Sequence, residues 1–224
     1  LINENKKNIS KIKLINHGFD FSSFNYYDQS KIQLLRDKYN IKKNSFVIGS
    51  ISRFIDWKGI DYTINAFKKF NQLNPNSVLI LANANGPYKK NIEKLLKTIP
   101  EENYRIINFE PDFISLYRIF NIFVHVPVNP FCEAFGQVYI ESLASKTPSI
   151  FTKSGVGIEF LEDKINCFVA DFCNHHSIYE GLIFFTKNAK DVNYKIINQG
   201  YHDVKNRFSI DLMLCKLEAL YNNE

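Results

Sequence analysis

The sequence predicts an α/β fold with a Rossmann-like, doubly wound parallel sheet of six strands and helices on both of its faces. Three observations lead to this prediction. Short apolar runs alternate with amphipathic stretches from Phe46 onward, which is the pattern of βα units that feed a parallel sheet. Most of these runs are continuous, as expected when helices cover both faces of the sheet. A chain of 224 residues also suits one such domain with appendages, because domains commonly have about 100 to 200 residues.

Six apolar, β-branched segments are the predicted strands. In chain order they are residues 46–51, 78–82, 104–109, 122–126, 148–152 and 167–171. The stretches between them carry apolar residues at three- and four-residue spacing, which predicts crossover helices. These helices are residues 59–73, 88–98, 112–120 and 137–145. Three more helices are predicted after the sixth strand, at residues 175–187, 191–206 and 209–221, the last with Ser209 as its N-cap.

The residues before position 46 follow a different pattern. Residues 12–15 are predicted to form one isolated strand, residues 16–20 a turn and residues 30–39 one helix. The chain begins with neither an initiator methionine nor the apolar core of a signal peptide. We therefore expect it to be a segment of a longer polypeptide.

Composition and charge exclude several classes of protein. Hydrophobic residues make up 45% of the chain and aromatic residues 15%, which excludes a disordered chain. The apolar runs are far too short to span a bilayer, so we expect a soluble, cytoplasmic protein. The net charge of +5 suits an anionic small ligand or peripheral contact with an anionic membrane. It is too weak to predict binding of nucleic acid.

The cysteines and histidines have no spacing typical of a disulfide framework or a metal site. The four cysteines lack CxxC spacing, which predicts buried thiols in a reducing compartment. They are Cys132, Cys167, Cys173 and Cys215. His17, His125 and the pair His175 and His176 fall in a predicted turn, a predicted strand and a predicted helix start. Because no common spacing joins them, we predict no metal site.

Topology selects two loops as the candidate ligand site. In doubly wound sheets of order 3-2-1-4-5-6, ligands bind beyond the carboxyl ends of the strands, where the order reverses between the first and fourth strands. The loops at that point are residues 52–59, after the first strand, and residues 127–137, after the fourth.

The first of these loops carries two cations. Arg53 and Lys58 are five residues apart across a turn that opens a helix, so both side chains and the free amides of the helix start can converge on one anion. A diphosphate fits such a site. The same two residues are equally compatible with a solvated Lys58 and an Arg53 that forms a structural ion pair.

The second loop combines a glycine with two carboxylates. Gly136 lets the backbone approach a ligand just before a helix whose N-terminus carries a partial positive charge. Glu133 precedes that helix, and Glu141 lies in its early turns, where a side chain leans back towards the N-terminus. Both carboxylates can therefore accept sugar hydroxyls in one cleft. Acidic residues near a helix start are ordinarily dipole partners or surface charges, but these two flank the helix start that topology selects.

Several motifs, in this order, resemble those of the C-terminal domain of family 4 glycosyltransferases, which have the two-domain GT-B architecture. Residues 16–20 are similar to the family's NGxD turn, and residues 49–59 to its GRxxxxKG segment. Residues 133–144 resemble its EpFGxxxxEAma signature, with two glutamates eight residues apart. Further matches are residues 155–159 to GGxxE, residues 163–169 to dgxnGxLv and residues 208–221 to the last helix of the family.

The resemblance implies a retaining hexosyl transfer from a nucleoside-diphosphate sugar, without a cofactor or a bound metal. Arg53 and Lys58 would stabilise the charge on the departing diphosphate, with Lys58 in place of a divalent cation. Glu141 would accept the ribose hydroxyls, and Glu133 would hold the hexose and stabilise an oxocarbenium-like centre. The implied catalytic residues are Glu133, Arg53 and Lys58, and the implied donor-binding residues are Arg53, Lys58, Phe109, Glu133, Ala134, Phe135, Gly136, Gln137, Val138 and Glu141.

The resemblance also implies a domain organisation. Residues 1–20 would be the end of an N-terminal domain and a hinge, residues 21–208 the nucleotide-sugar-binding domain, and residues 209–224 a helix that crosses back to the N-terminal domain. A glycan or lipid-linked acceptor would bind that other domain, so we expect the chain alone to transfer sugar poorly. Two alternatives stay open. One is a non-catalytic nucleotide-sugar-binding module or subunit of a split transferase, and the other is a sugar-nucleotide epimerase on the same architecture.

Overall fold

The computed structural model describes residues 12–25 and 28–222. At its centre is one sheet of six parallel strands in the order β3-β2-β1-β4-β5-β6, so the predicted doubly wound fold is confirmed. The strands are β1 Phe46–Ile51, β2 Ser77–Ala82, β3 Tyr104–Ile107, β4 Ile122–His125, β5 Ser149–Phe151 and β6 Phe168–Val169. The order reverses between β1 and β4, which lie side by side with Ile48 opposite Ile122.

Helices connect the strands and follow the sheet. They are α1 Phe21–Asn25, α2 Gln29–Lys38, α3 Ile60–Leu73, α4 Lys89–Leu96, α5 Phe113–Ile119, α6 Gln137–Ala144, α7 Gly157–Phe160, α8 His175–Lys187, α9 Lys190–Phe208 and α10 Ile210–Tyr221. Short 3₁₀ turns at Asp56–Lys58 and Glu101–Asn103 precede α3 and β3. Over the described residues, none of these helices combines the length and the apolar character needed to cross a bilayer.

Residues of one strand alternate between two hydrophobic cores, one on each face of the sheet. In β2, Val78 and Ile80 pack into the core formed with α2, α5, α6 and α9. Leu79 and Leu81 pack into the other core, formed with α3, α4 and α8. All residues of β2 are buried. The continuous apolar runs in the sequence are therefore explained by helices on both faces.

Side-chain caps fix the starts of four helices, including α5, where Asp112 accepts a hydrogen bond from the amide of Ser115. The carboxylate of Asp28 accepts hydrogen bonds from the amides two and three residues further along, at the start of α2. Asn174 caps α8 in the same way. The hydroxyl of Ser209 accepts a hydrogen bond from the amide of Leu212, which confirms its predicted position as the N-cap of α10. Each cap satisfies backbone donors that a helix start leaves unpaired.

The segment before α1 does not form the isolated strand predicted for residues 12–15. Ile12 and Leu14 are 58% and 79% exposed, and no strand among the described residues pairs with this segment. A strand without a partner leaves its backbone groups unpaired, so an alternating apolar pattern alone does not make one. The segment instead leads to Phe19, which exchanges backbone hydrogen bonds with the junction between α9 and α10.

Four strands are shorter than predicted. β4 ends one residue early, at His125, and β5 covers Ser149–Phe151 instead of residues 148–152. The two edge strands are shortened as well. β3 ends at Ile107 instead of Phe109, and β6 covers Phe168–Val169 instead of residues 167–171. Each edge strand pairs on one side only, so its length depends on a single partner. The ladder between β2 and β3 stops where Ile107 lies opposite Ala82, the last residue of β2.

The prediction of buried thiols is wrong for three of the four cysteines. Cys167 is buried, Cys132 is half-buried, and Cys173 and Cys215 are exposed; all four are free thiols. Cys215 lies on α10, which has no fully buried residue. Irregular spacing along the chain carries no information about exposure, because exposure depends on how helices such as α10 pack.

Candidate functional site

A cavity of about 350 Å³ lies where the strand order reverses, at the carboxyl ends of β1 and β4. Its walls come from the loop after β1 and the loop between β4 and α6, as the topology predicts. Eight of the predicted donor-binding residues line it, namely Arg53, Lys58, Glu133, Ala134, Phe135, Gly136, Gln137 and Val138. Phe109 and Glu141 lie outside this lining, and the structure adds Ile51, Ser52, Asn83 and His125.

The two loops are fixed against each other at Gly59. This residue has φ +67°, and a Cβ there would lie 2.0 Å from the carbonyl oxygen of Val126, at the end of β4. Only glycine combines that conformation with such a close approach. The amide of Val128 also donates to the carbonyl of Trp57 at 3.0 Å. Backbone contacts therefore hold the loop after β1, including Lys58, beside the end of β4.

The two cations of the first loop have different surroundings. Arg53 is exposed and lines the cavity, and its guanidinium has no ion-pair partner within the described residues. Lys58 has a side chain that is only 17% exposed and forms an ion pair with Glu133. The first loop thus offers Arg53, which has no ion-pair partner among the described residues, and Lys58, which is already bound to a carboxylate.

Helix α6 begins at the cavity without a capping side chain. Its N-cap is Gly136, which has φ +94° and offers no side-chain hydrogen bond to the first amides. The helix start therefore presents N–H groups and the positive end of the helix dipole. These features favour an anionic group next to Gly136.

Three ionisable side chains meet at one oxygen atom in the wall of the cavity. The Nζ atom of Lys58 lies 2.5 Å from Oε1 of Glu133, and Nε2 of His125 lies 2.9 Å from the same oxygen. The side chain of Glu133 is 10% exposed and that of His125 is 2% exposed. The described residues give Oε2 of Glu133 no hydrogen-bond partner, so this oxygen is available to a ligand.

The charge state of this cluster follows from its contacts. Burial alone would raise the pKa of Glu133, but His125 and Lys58 outweigh that effect and lower the pKa to about 2. Burial lowers the pKa of His125, although Glu133 opposes this. At neutral pH Glu133 is therefore a carboxylate, and we assign a neutral imidazole that donates from Nε2–H.

The lowered pKa of Glu133 predicts a pH dependence of stability. A carboxylate of this kind contributes stability above pH 4.5, and the contribution is lost as the pH falls towards 2. Wild type should have a larger free energy of unfolding than Glu133→Gln at pH 6. We expect this difference between the two proteins to be about 2 kcal/mol smaller at pH 3. Urea titrations at both pH values measure this, with Glu159→Gln, on an exposed carboxylate, as the control. If the free energy of unfolding changed equally with pH in wild type and Glu133→Gln, the lowered pKa of Glu133 would be wrong.

Glu141 has a different environment from Glu133. It accepts a hydrogen bond from the hydroxyl of Tyr117 at 3.0 Å. Burial raises the pKa of Glu141, and the bond from Tyr117 opposes this in part. Tyr117 is fully buried, and burial raises its pKa well above the ordinary value. The hydroxyl of Tyr117 therefore stays protonated and keeps the Glu141 carboxylate in one orientation.

The loop after β3, which contains Phe109, is fastened to the end of α2. Oε2 of Glu110 accepts hydrogen bonds from Nζ of Lys38 at 2.7 Å and from the hydroxyl of Tyr39 at 2.5 Å, and Oε1 accepts from the amide of Asp112. Burial alone would raise the pKa of Glu110, but these bonds lower it. Phe109 itself is 74% exposed. The loop is anchored while its aromatic side chain is free to contact a ligand.

A larger cavity, of about 650 Å³, lies at the other end of the strands, where their amino ends are. Its lining includes Ser45, Asn76 and Asn103, which immediately precede β1, β2 and β3. The side-chain amides of Asn71 and Asn103 in that lining donate to carbonyl oxygens of the chain, among them that of Ser77. Size favours this cavity, but ligands of doubly wound sheets bind at the carboxyl ends of the strands. We therefore take the smaller cavity as the candidate site.

Sequence analysis did not predict the part played by His125. The structure places it in the wall of the site, bound to Glu133. The signal was present, because a histidine interrupts an apolar run that was predicted to be buried on both faces. The rings of His175 and His176 lie 4.3 Å apart at an angle of 35°, at the start of α8. Over residues 12–25 and 28–222, no group of three or more histidine, cysteine or acidic side chains could hold a metal ion.

Comparison with known protein families decides the affiliation of the chain. A sequence model of the family described as "Glycosyl transferases group 1" matches residues 31–203. That range contains the whole sheet and every predicted site residue. The chain belongs to the group 1 glycosyltransferases. This is the family 4 resemblance stated from the sequence motifs, and the match confirms it.

Two relatives of this group 1 domain are known from their sequences. The chain is 27% identical over 195 residues to an alpha-monoglucosyldiacylglycerol synthase of Acholeplasma laidlawii, covering 85% of this chain and 44% of that protein. It is 28% identical over 208 residues to the capsular polysaccharide biosynthesis glycosyltransferase CapM of Staphylococcus aureus, covering 90% and 54%. The chain therefore spans about half the length of these relatives.

Solved structures of similar proteins agree with the fold of the group 1 domain. The C-terminal domain of the group 1 glycosyltransferase LpcC from Francisella tularensis matches with a TM-score of 0.73 at 25% identity, covering 86% of this chain and all of that one. HepE from Anabaena, crystallised with UDP and glucose, matches with a TM-score of 0.83 at 22% identity, covering 95% and 57%. The chain thus has the fold of the C-terminal half of a GT-B glycosyltransferase.

Proposed function

We propose that this group 1 domain binds a nucleoside-diphosphate sugar and forms the donor half of a retaining hexosyltransferase that needs no metal ion. The observation that carries the proposal is the cavity at the carboxyl ends of β1 and β4, where the strand order reverses. Two cations, an uncapped helix start and a carboxylate with one free oxygen line this single space. These groups match the diphosphate and the hexose of such a donor.

The diphosphate is proposed to lie between the two cations and the start of α6. Arg53 is free to turn towards it, and Lys58 lies within the same cavity. Both cations and the helix amides would stabilise the negative charge that develops on the diphosphate when its bond to the sugar breaks. They supply the positive charge that a divalent cation otherwise provides, which is the basis for expecting metal-independent transfer.

Glu133 is proposed to act on the hexose. Its Oε1 atom is bound by Lys58 and His125, and Oε2 can accept a hydroxyl of the sugar. The same carboxylate would lower the energy of positive charge at the anomeric carbon. The lining of the cavity also includes Ala134, Phe135, Gln137 and Val138.

Glu141 is proposed to accept the ribose hydroxyls, and Phe109 to lie near the base. Because burial disfavours the charged form of Glu141, Glu141→Gln should leave the unfolding free energy at pH 7 unchanged or raise it by up to about 1 kcal/mol. The same change should weaken UDP binding about fivefold, since it removes a charge-assisted hydrogen bond. Titrations with UDP and 2′-deoxy-UDP measure the effect. Wild type should bind UDP more tightly than 2′-deoxy-UDP. If Glu141→Gln had the same preference as wild type, Glu141 would not bind the ribose hydroxyls.

A second domain is proposed to complete the enzyme. Residues 1–20 and 209–224 would join or brace it, and in the described part of these segments Phe19 bonds to the start of α10. The acceptor, a glycan or a lipid-linked molecule, would bind there, and peripheral contact with an anionic membrane at the cytoplasmic face suits the charge of +5. The chain alone is then expected to bind donor but to transfer sugar weakly.

Thermal unfolding with a panel of nucleotides tests the proposal. UDP, GDP and ADP and their sugar conjugates are each added with and without EDTA, UDP first because HepE was crystallised with it. A ligand at one hundred times its dissociation constant stabilises by about 2.7 kcal/mol, which is about 5–10 °C for a domain of this size. Selective stabilisation that EDTA does not change is the expected result. No stabilisation by any nucleotide would reject the donor site.

Turnover distinguishes an enzyme from a binding module that uses the same site. If the chain, with the remainder of its polypeptide or with an added partner domain, transfers labelled hexose, it is a transferase. Stabilisation by a nucleotide without any transfer under those conditions would favour the non-catalytic module or split-subunit alternative. Release of an epimerised donor would favour the epimerase.

A further inference from the structure

His125 occupies a position that packing alone does not explain. Its ring is 2% exposed and lies among aromatic rings, 5.0 Å from Tyr139 and 6.5 Å from Phe123. Within the described residues its Nδ1 atom is buried and has no hydrogen-bond partner. A buried polar atom without a partner costs free energy, and a leucine would fill the same apolar surroundings without that cost. The only polar contact that the described chain gives the ring is Nε2 to Glu133.

Lys58 and His125 share one oxygen of Glu133, but only Lys58 has a second proposed partner. When a diphosphate enters the cavity, the ammonium group of Lys58 divides its donors and its charge between the diphosphate and Glu133. The diphosphate also brings a like charge close to the carboxylate and repels it. His125 is part of the cavity wall but is only 2% exposed, and its single Nε2–H is already donated to Oε1 of Glu133. We therefore expect it to keep that bond when the diphosphate binds.

We infer that His125 is a positioning residue, which keeps the carboxylate of Glu133 turned towards the hexose after the diphosphate has engaged Lys58. The inference rests on the proposed donor site and assigns this chain a residue for recognition of the sugar in particular. His125 does not touch the donor itself. Its effect should therefore appear in binding of the sugar conjugate and not in binding of the free nucleotide.

Two substitutions separate this role from a structural one. His125→Leu removes the N–H and fills the apolar space, whereas His125→Gln can place an amide N–H near the position of Nε2. Calorimetric titration of the full chain with UDP and with UDP-glucose gives the ratio of the two affinities, and the guanosine and adenosine pairs are run in parallel. Ile150→Val, in the neighbouring strand and buried in the other core, is the control for a small loss of packing.

The expected result is a change in the ratio of the two affinities. His125→Leu should lower the affinity for UDP-glucose relative to UDP about tenfold, the loss of one hydrogen bond to a charged group. Its affinity for UDP should stay within about twofold of wild type. Its melting temperature should fall slightly, because the lost hydrogen bond to Glu133 outweighs removal of the unpaired Nδ1 atom. His125→Gln should restore most of the ratio, and Ile150→Val should not change it.

Other outcomes would overturn the inference. An unchanged ratio in His125→Leu, with UDP still bound, would reject the positioning role and leave the donor site intact. An equal fall in the ratio for Leu and Gln would indicate that packing matters and the N–H does not. If wild type binds no nucleotide of the panel, the proposed function fails, and the inference fails with it.

Discussion

Lys58→Ala should abolish stabilisation by nucleoside diphosphates and also weaken the empty protein. Glu133 is a carboxylate with a pKa of about 2 and a side chain that is 10% exposed. Removing Lys58 leaves this charge with the imidazole of His125 alone. Loss of one partner from a largely buried pair costs about 3 kcal/mol, so we expect the unfolding free energy to fall by roughly that amount. Loss of one of the two cations that are proposed to bind the diphosphate should lower nucleotide affinity by about a hundredfold.

Urea titration and nucleotide-dependent melting measure the two effects of Lys58→Ala. Lys89→Ala is the matched control, because Lys89 also pairs with a glutamate, Glu93, but both side chains are about half exposed. An exposed pair contributes about 0–1 kcal/mol, so the control should be nearly neutral and should bind nucleotide normally. Equal stabilisation by nucleotide in Lys58→Ala and wild type would remove Lys58 from the site.

Gly59→Ala should be the most destabilising single methyl group added near the site. The new Cβ would meet the carbonyl oxygen of Val126 at 2.0 Å, which is a contact between two stretches of backbone. The positive φ of +67° adds strain for any L side chain. Since neither loop can yield without moving β4 or α3, we expect a loss of about 4 kcal/mol or more. Thermal and urea unfolding measure it, and nucleotide binding should weaken because Lys58 moves.

Asn40→Ala is the control for the backbone strain that a positive φ causes in an alanine. Asn40 also has a positive φ, of 51°, but it already carries a Cβ and is exposed. Alanine there should cost only about 1 kcal/mol. If Gly59→Ala were as mild as Asn40→Ala, the close approach of the two loops would be wrong, and the position of Lys58 with it.

The sequence predicted the sheet well because its strands are buried on both faces. β1 matches its predicted range, residues 46–51, and the strand order follows the general rule for doubly wound sheets. The predictions failed where the presence or length of a strand depends on a neighbouring strand. β3 stops where its single partner stops, and residues 12–15 form no strand because none pairs with them among the described residues.

The candidate site could be predicted in its composition but not in its contacts. Topology and motif order selected Arg53, Lys58 and Glu133, and these residues do line one cavity. The sequence offered no sign that Lys58 and Glu133 bind each other, since 75 residues separate them. It also gave no sign that Tyr117 holds Glu141. The first pair depends on how the loops after β1 and β4 meet, and the second joins α5 to α6. No local sequence pattern records either contact.

A crystal structure of this chain grown with UDP and EDTA tests the central claim most directly. We expect the diphosphate to lie between Arg53, Lys58 and the start of α6, with the ribose towards Glu141 and Nε2 of His125 still bonded to Glu133. A nucleotide seated instead in the larger cavity beside Asn71, at the amino ends of the strands, would contradict it.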